Sequence, residues 1–397
     1  MSSSSAVNTA AIAHEPSRSG IQILIMAVAA FIIVTTEFVI VGLLPSLAQD
    51  LNVSITVAGQ VVTLFAFTVM LFGPVLTAKL ARVERKRLFT MILVIFALAN
   101  ALAAVSTNIW VLAVARFIPA LALPVFWGTA SETAGQLAGP GNAGKAVSKV
   151  YLGISAALVF GIPLGTVAAD AIGWRGTFWV LAGVSLIIGA LMHLMMPTLP
   201  SAPVADEGEK QTDILRQPRF LAHILLSVLA FTAMFTAYTY LADILERLAN
   251  VPTSQVGWWL MGFGAVGMIG NHVGGAMVDR RPLGAMVLFL LVLGVGMLGA
   301  VALASNTPWL IGSLIIWGVA YTALFPVCQV RVMTAGAKAQ ALAASMNISA
   351  ANAGIGLGAI FGGLGIHHYG LGSLGIIATI IAALGVIVAL LMMRGHR

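Results

Sequence analysis

Charge is the first thing this chain of 397 residues has little of: Asp, Glu, Lys and Arg make up 8% of it, whereas 60% is hydrophobic. A soluble protein of this length needs several times more charge on its surface. The mean hydropathy is +1.02, and apolar stretches of about 20 residues, each able to cross roughly 30 Å of hydrocarbon, recur along the chain. We therefore expect an integral membrane protein made of helices, the spans whose backbone is satisfied without water.

Several functional motifs are also absent from the sequence. It has no G-x-x-x-x-G-K-[ST] phosphate loop, no nucleophile elbow and no His and Cys cluster with metal spacing, which argues against an ATP-driven pump, an enzyme or a metal site. A G-x-G-x-x-G match at 262–267 lies inside an apolar span and is typical of close helix packing. The single cysteine, Cys328, permits no internal disulfide. The first twenty residues lack the features of a secretory signal.

Twelve hydrophobic spans follow one another along the chain. They are predicted at 21–44, 57–80, 88–106, 110–131, 147–171, 174–196, 220–241, 253–278, 283–303, 308–333, 341–365 and 371–393. We interpret 1–20 as a disordered cytoplasmic tail, 21–196 as a first six-helix bundle, 197–219 as a proline-rich and charged cytoplasmic linker, 220–393 as a second six-helix bundle and 394–397 as a cytoplasmic tail. The expected fold class is an all-α membrane protein with two pseudo-symmetric bundles.

Basic residues predict the orientation of these spans. With the N-terminus in the cytoplasm, 17 of the 20 Lys and Arg residues fall on the inner side and two, Arg175 and Arg247, on the outer side. Both termini are thus expected inside, and the net charge of +7 reports membrane orientation and not a nucleic-acid partner.

The two halves also resemble each other. Aligning Arg82 with Arg280 shifts the chain by 198 residues, about half its length, and glycine-rich spans five and eleven then correspond. Repeats of this kind are a known transporter plan, with the substrate bound near the midplane between them.

Glu37 is the residue that most needs an explanation. It is a carboxylate in an apolar run, where insertion costs about 2.5–3.5 kcal/mol, so it requires a partner, a proton or water. Arg116 of span four is predicted at a similar depth and is a possible partner. We interpret Glu37 as the carrier of a coupling proton; a permanently paired structural carboxylate is the alternative. Arg116 is equally consistent with a coupling or a structural role.

Polar and aromatic residues on three other spans are candidate substrate contacts. Span seven has a stripe of hydroxyls at helical spacing, span ten presents two aromatic residues on one face, and a tryptophan of span four projects close to Arg116. Such a set suits sugars, nucleosides or amphipathic drugs; lipid-facing or packing positions are the alternative for each aromatic residue. The candidates are Trp127, Thr232, Thr236, Thr239, Tyr240, Asp243, Trp317 and Tyr321.

The residues quoted so far match a known pattern. Thr36-Glu37-Phe38 with Gly42-Leu43-Leu44-Pro45, Arg116, and Gly161-Ile162-Pro163-Leu164-Gly165-Thr166 make the chain resemble the major facilitator superfamily. Within it, the chain is similar to the bacterial drug:proton antiporters that include sugar efflux and arabinose-efflux-like permeases. The resemblance covers nearly all of 21–393. It implies a central cavity lined by spans one, four, seven and ten that opens alternately to each side.

The resemblance also implies gating and structural motifs. In the family's loop signature the first copy keeps Arg82, Arg85 and Lys86, with Thr77, Ala81 and Glu84 where Gly, Asp and Gly are usual. The second copy keeps Gly275, Asp279 and Arg280. Glu132, expected as a structural anchor for the basic loop, and Glu84 are candidates to replace the missing aspartate. Gly161, Pro163 and Gly165 are similar to the antiporter motif of span five.

These observations predict a proton-coupled antiporter of the bacterial inner membrane that exports a small solute by alternating access, with the proton as coupling ion and no other cofactor. A nucleoside or drug exporter, a proton symporter or facilitator that imports a nutrient, and a receptor without transport are the alternatives. Composition alone allows an importer equally well. The expected partners are a small-molecule substrate and the lipid bilayer, and the protein is expected to be a monomer.

Overall fold

The computed structural model describes residues 16–80, 83–138, 143–199, 211–278, 280–337 and 340–394. Within these ranges the chain forms twelve long helices and no strand. The first six are α1 (Pro16–Asp50), α2 (Ile55–Leu80), α3 (Arg85–Ala104), α4 (Ile109–Ala138), α5 (143–172) and α6 (174–195). The second six are α7 (218–248), α8 (Thr253–Val278), α9 (Pro282–Ala302), α10 (Thr307–Ala335), α11 (Gln340–Tyr369) and α12 (Leu374–Arg394).

A single glycine separates α5 from α6. The helix Ile162–Met195 contains Gly173 with a φ of +73°, a left-handed conformation that glycine adopts without the steric cost of a Cβ. The chain reverses direction there and crosses the bundle twice. Upstream, the helix Ala143–Ala156 passes into a π-helical turn, Ala157–Gly161, of the type often found at functional sites.

The seventh helix is also interrupted. It runs as a regular helix through Pro218–Tyr238, breaks at Thr239 and Tyr240, and resumes as one short turn followed by a π-helical turn, Ile244–Leu248. Residues 238–245 are all buried, so the break lies inside the protein. A short 3₁₀ helix, Gln211–Arg216, precedes α7.

The helices pack as two bundles of six. In the first bundle α3 packs on α6 and α2 on α4; in the second α7 packs on α11, α8 on α10 and α9 on α12. The bundles meet where α2 packs on α11 and α5 on α8. The fold class predicted from the sequence is confirmed. We call the end of the bundles that carries residues 16 and 394 the terminal end, and the opposite end the distal end.

Length and hydropathy agree with a membrane fold. Ten stretches of the described chain are long and apolar enough to cross a membrane. One of them, 149–195, contains both α5 and α6, and the glycine-rich α8 falls outside the ten.

Candidate functional site

Arg116 joins α4 to α1 at the level of Glu37, and it is 1% exposed. Its Nη1 donates to the carbonyl oxygen of Thr36 at 2.6 Å and its Nη2 to the carbonyl oxygen of Glu37 at 2.7 Å. The guanidinium also lies 4.7 Å from the centre of the Phe65 ring. The two residues are neighbours, as their depths suggested, but the hydrogen bonds go to the backbone of α1 and not to the carboxylate.

The Glu37 carboxylate therefore has no hydrogen bond from Arg116. It is partly exposed, and among the described residues no hydrogen bond or ion pair within 4.0 Å holds it. The Arg116 guanidinium and the Tyr321 hydroxyl are within electrostatic range of it. The guanidinium offsets part of the cost of a charge at this depth. Glu37 lies on α1 of the first bundle and Tyr321 on α10 of the second, so its charge acts on both bundles.

Opposite Glu37, the second bundle presents a cluster of rings. Tyr238 and Tyr321 lie 4.6 Å apart between ring centres, and Phe263 lies within 6 Å of both. Phe38, next to Glu37, contacts Phe235 across the bundle interface at 5.9 Å. We call this set the aromatic cluster; its members on the second bundle are Phe231, Phe235, Tyr238, Phe263, Trp317, Tyr321 and Phe325.

Two polar atoms of the aromatic cluster lack a partner. Within the described part of the chain neither the Tyr321 hydroxyl nor the indole nitrogen of Trp317 makes a hydrogen bond, although both side chains are at most 2% exposed. A small cleft reaches this region between α5 and α8; it is lined by Leu158, Ile162, Tyr238, Leu260, Phe263, Gly264, Tyr321 and Thr322. Rings with a few free donors can hold a solute that has both an apolar face and a hydrogen-bonding edge.

The hydroxyl stripe of α7 lies away from the aromatic cluster. Thr232 and Thr236 donate to carbonyl oxygens four residues earlier in their own helix, and their backbones pack on glycines of α11. The Thr239 hydroxyl is fully buried and has no partner in the residues described. The expectation that this stripe faces a watery cavity was wrong for the structure described: side-chain periodicity gives the shared face, but not the neighbour it meets.

Three further substrate candidates also lie away from the aromatic cluster. Tyr240 is fully buried and its hydroxyl donates to the Ala359 carbonyl oxygen at 2.9 Å. Asp243, 2% exposed, pairs with Arg247 at 3.5 Å near the distal end. Trp127 is partly exposed in the terminal half of α4 and packs on Tyr151 of α5 with ring centres 5.3 Å apart. Trp317 and Tyr321 are the two candidates that the structure places in the aromatic cluster.

The loop motif of the first bundle is anchored by an ion pair. Arg85 is 1% exposed and donates to the Glu132 carboxylate of α4 at 2.9 Å. The Glu84 carboxylate caps α3 by accepting from the backbone N–H groups of Lys86 and Arg87 at 2.9 and 3.0 Å. These contacts agree with the expected anchoring by Glu132. Two other motif residues, Arg82 and Asp279, lie outside the described residues.

The glycines of the α5 motif allow close contact with α1. Gly161 ends the π-helical turn beside the Thr35 side chain, and a Cβ at Gly165 would lie 2.5 Å from the Val39 side chain. Pro163 is buried in the same segment. In the second loop copy, Gly275 has open space around it and Arg280 is exposed.

Sequence reasoning missed a polar cluster in the second bundle. Arg331, on the terminal half of α10, is 1% exposed and bonds to His223 Nδ1 and to the Ser227 hydroxyl, both at 2.8 Å. Ser227 continues to Asn347 at 2.8 Å, and Asn347 to Gln329 at 2.7 Å. Arg331 is one of the 17 basic residues that the predicted orientation places on the inner side. The available signal was an arginine that falls within the predicted span 308–333 and not in the loop that follows it.

The sequence matches the family model described as Major Facilitator Superfamily over residues 26–336 and 249–397. The chain belongs to this family. It is 34% identical over 367 residues, 92% of both chains, to "Inner membrane transport protein YdhP" of Escherichia coli (strain K12). It is 29% identical over 357 residues to "Probable sugar efflux transporter" of Helicobacter pylori (strain ATCC 700392 / 26695), covering 90% of this chain and 91% of that one.

Solved structures share the fold. A bacterial homolog of the human lysosomal transporter Spinster, crystallised in an inward-facing and unoccupied conformation, superposes with a TM-score of 0.81 at 14% identity, over 96% of this chain and 98% of that one. The nucleoside transporter NupG gives 0.73 at 16% identity, over 95% and 98%. This protein is a membrane transporter of the major facilitator superfamily that acts on a small molecule.

Proposed function

We propose that this transporter is a proton-coupled antiporter that exports a small solute, with Glu37 as the proton carrier. The observation that carries the proposal is the Glu37 carboxylate, which lies between the two bundles without an ion-pair partner in the described residues, while Arg116 is occupied by the backbone of α1. A carboxylate stored in hydrocarbon without such a partner is suited to gain and lose a proton.

Coupling follows from the position of Glu37. When the carboxyl is protonated it carries no charge, and its electrostatic interactions with the Arg116 guanidinium and the Tyr321 hydroxyl weaken, while Arg116 stays bonded to the backbone of α1. Solute is released on the side to which the cleft is then open. Loss of the proton on the other side restores the charge and the preference for solute. Inward movement of one proton through 100 mV supplies about 2.3 kcal/mol. The proton is the coupling ion, and no other cofactor is required.

The proposed direction is export, as the name of the Helicobacter pylori relative suggests, and the proposed location is the bacterial inner membrane, as in the name of the Escherichia coli relative. Both termini are in the cytoplasm on this proposal, because basic residues collect at the terminal end. A monomer is sufficient, since each chain has both bundles. A sugar or sugar-like compound is the leading substrate. The nucleoside transporter among the structural neighbours supports a nucleoside as the alternative.

Purified protein in liposomes tests the proposal. An imposed pH gradient is expected to drive uphill solute movement opposite to the protons in the parent, and Glu37→Gln is expected to abolish uphill movement while downhill exchange continues. Asp170→Asn, an exposed carboxylate near the distal end of α5, is the matched control and is expected to behave as the parent. Uphill transport by Glu37→Gln at the parent rate would exclude Glu37 as the carrier. Solute movement with the protons would identify a symporter.

A further inference from the structure

The distal halves of the two bundles meet along two seams rich in glycine. In the first seam α2 of the first bundle meets α7 and α11 of the second, with Gly59, Gly356, Gly362 and Gly363 at or beside the contact. In the second seam α5 meets α8 at Gly257 and Gly264, whose missing side chains let α5 backbone atoms approach within 3 Å of where a Cβ would be. All of these contacts lie in the distal half of their helices.

The terminal half of α8 is more open. From Met268 to Val273 its exposed side chains span an arc of about 200° at 100° per residue, more than half of the helix circumference. The contacts between the bundles are thus concentrated at the distal end, which is closed in this structure. A transporter that works by alternating access has to open this end and close it again.

Tyr240 occupies a slot in the first seam. It follows the break in α7, and its ring is enclosed by glycines on three sides: a Cβ at Gly362 would lie 2.7 Å from the ring, one at Gly363 2.9 Å from the hydroxyl, and one at Gly59 2.8 Å from the ring and closer still to the hydroxyl. Gly362 and Gly363 belong to the same bundle as Tyr240. Gly59 belongs to the other bundle.

The ring cannot easily move out of the way. Its hydroxyl donates to the Ala359 carbonyl oxygen at 2.9 Å, and the two α11 glycines hold its other edges. On both sides of the slot a threonine of α2 donates across the interface to α11, Thr56 to the Gly363 carbonyl oxygen and Thr63 to that of Gly356, each at 3.3 Å. These bonds are long for an O–H donor, so they are weak and reversible.

From this geometry we propose that Tyr240 is the latch of the distal gate: the ring seats against Gly59 of the first bundle to hold the distal end closed, and it withdraws with α7 and α11 when that end opens. The strong contacts of Tyr240 lie within its own bundle, so they survive the movement. In the first seam, opening has to break its packing on Gly59 and the two weak threonine bonds. Tyr240 is then a positioning residue of the gate and does not touch the solute. The inference rests on the alternating-access part of the proposed function.

Gly59→Ala tests the latch, because the added methyl has no room beside the ring. Spin labels at Thr107→Cys and Ser305→Cys, exposed distal sites on the two bundles, report their separation in a Cys328→Ala background that removes the single native thiol. We expect a short-distance population to dominate in the parent, and the long-distance fraction to be at least threefold larger in Gly59→Ala than in the parent. Gly262→Ala is the matched control, since nothing lies within 4 Å of the position of its Cβ. It is expected to match the parent.

Tyr240→Leu supplies the second arm of the test. Alone, it removes the ring from the slot and is expected to increase the long-distance fraction. In the Tyr240→Leu background, Gly59→Ala is expected to have no further effect, because the ring it clashes with is gone. An unchanged distance distribution in both single variants would overturn the proposal, and so would an undiminished Gly59→Ala effect without the tyrosine. Neither solute nor pH gradient is needed, so failure here is distinct from failure of proton coupling at Glu37.

Discussion

Each bundle buries an arginine that ties its fourth helix to its first, and the two links differ. In the first bundle Arg116 of α4 bonds to backbone carbonyl oxygens of α1 in the distal half of the helix, and Glu37 is close by. In the second bundle Arg331 of α10 bonds to side chains of α7 in the terminal half, and no Asp or Glu among the described residues pairs with it. The comparison indicates a division of work.

The first bundle holds the ionisable carboxyl and a cation that keeps α1 in place beside it. The second bundle holds the aromatic cluster, and its arginine bonds α10 to side chains of α7. A carboxyl that changes charge needs a rigid support that does not change with it, and backbone carbonyl oxygens provide one because they cannot titrate. Arg331 is held by the side chains of His223 and Ser227, which are not a fixed backbone support of this kind. On this view the two arginines are equivalent in topology and different in function.

Among variants that compare the two bundles, the largest effect is expected from Arg116→Met. It removes two charge-assisted hydrogen bonds, each worth about 1.5–3 kcal/mol, so pH-driven uphill transport is expected to fall more than about tenfold. Arg116→Lys keeps the charge with one compact donor group and is expected to lie between Met and the parent. Uphill transport in liposomes is the measurement. Parent-like transport by Arg116→Met would remove the difference between the bundles.

A moderate loss of stability is expected from Glu132→Ala, which removes the Glu132 carboxylate from its ion pair with the buried Arg85. Breaking a fully buried pair costs about 3–5 kcal/mol; because Glu132 is 35% exposed, we expect about 2 kcal/mol here. The melting temperature in detergent measures it, with the double variant Arg85→Met/Glu132→Met as control. The double variant is expected to melt above the single one, and a lower value would show that the pair does more than neutralise charge.

Arg331→Met is expected to change stability by less than about 1 kcal/mol, because the lost hydrogen bonds are offset by removal of a buried charge. Ser227 keeps its contact with Asn347. Coupled transport is expected to continue, in contrast to Arg116→Met, and the same liposome assay compares the two. Loss of coupling in Arg331→Met would place a coupling group in the second bundle as well.

The smallest effect is expected from Asp50→Asn. Its partner Arg175 also donates to the Ser106 carbonyl oxygen and lies over the Trp174 ring. Asp50 and Arg175 are 45% and 39% exposed, so the pair contributes less than about 1 kcal/mol. The difference in melting temperature between Asp50→Asn and the parent is expected to be smaller at high salt than at low salt, because salt screens exposed charges. A drop as large as that of Glu132→Ala would contradict the distinction between buried and exposed pairs.

The candidate site was only partly predictable. Depth along a helix follows from counting residues, which is why Glu37 and Arg116 were expected to meet. Counting residues does not show whether Arg116 donates to the Glu37 carboxylate or to backbone carbonyl oxygens. In the structure it donates to the carbonyl oxygens of Thr36 and Glu37. Tyr238 and Phe263 were missed because a single ring in an apolar span gives no signal until other helices bring more rings beside it. Tyr240 was predicted to contact the solute. The sequence does not show that glycines of α2 and α11 surround its ring, because that depends on how these helices pack.

The sequence by itself determined that this chain crosses a membrane, with about twelve helices in two related halves, and that one carboxylate lies within a span. These follow from hydropathy, length and the cost of charge in hydrocarbon, which are properties of each segment alone. Only the tertiary structure decided which partner each buried polar group takes and which end of the molecule is closed. Those depend on how distant helices pack, and a periodic pattern fixes the face of a helix without fixing what lies against it.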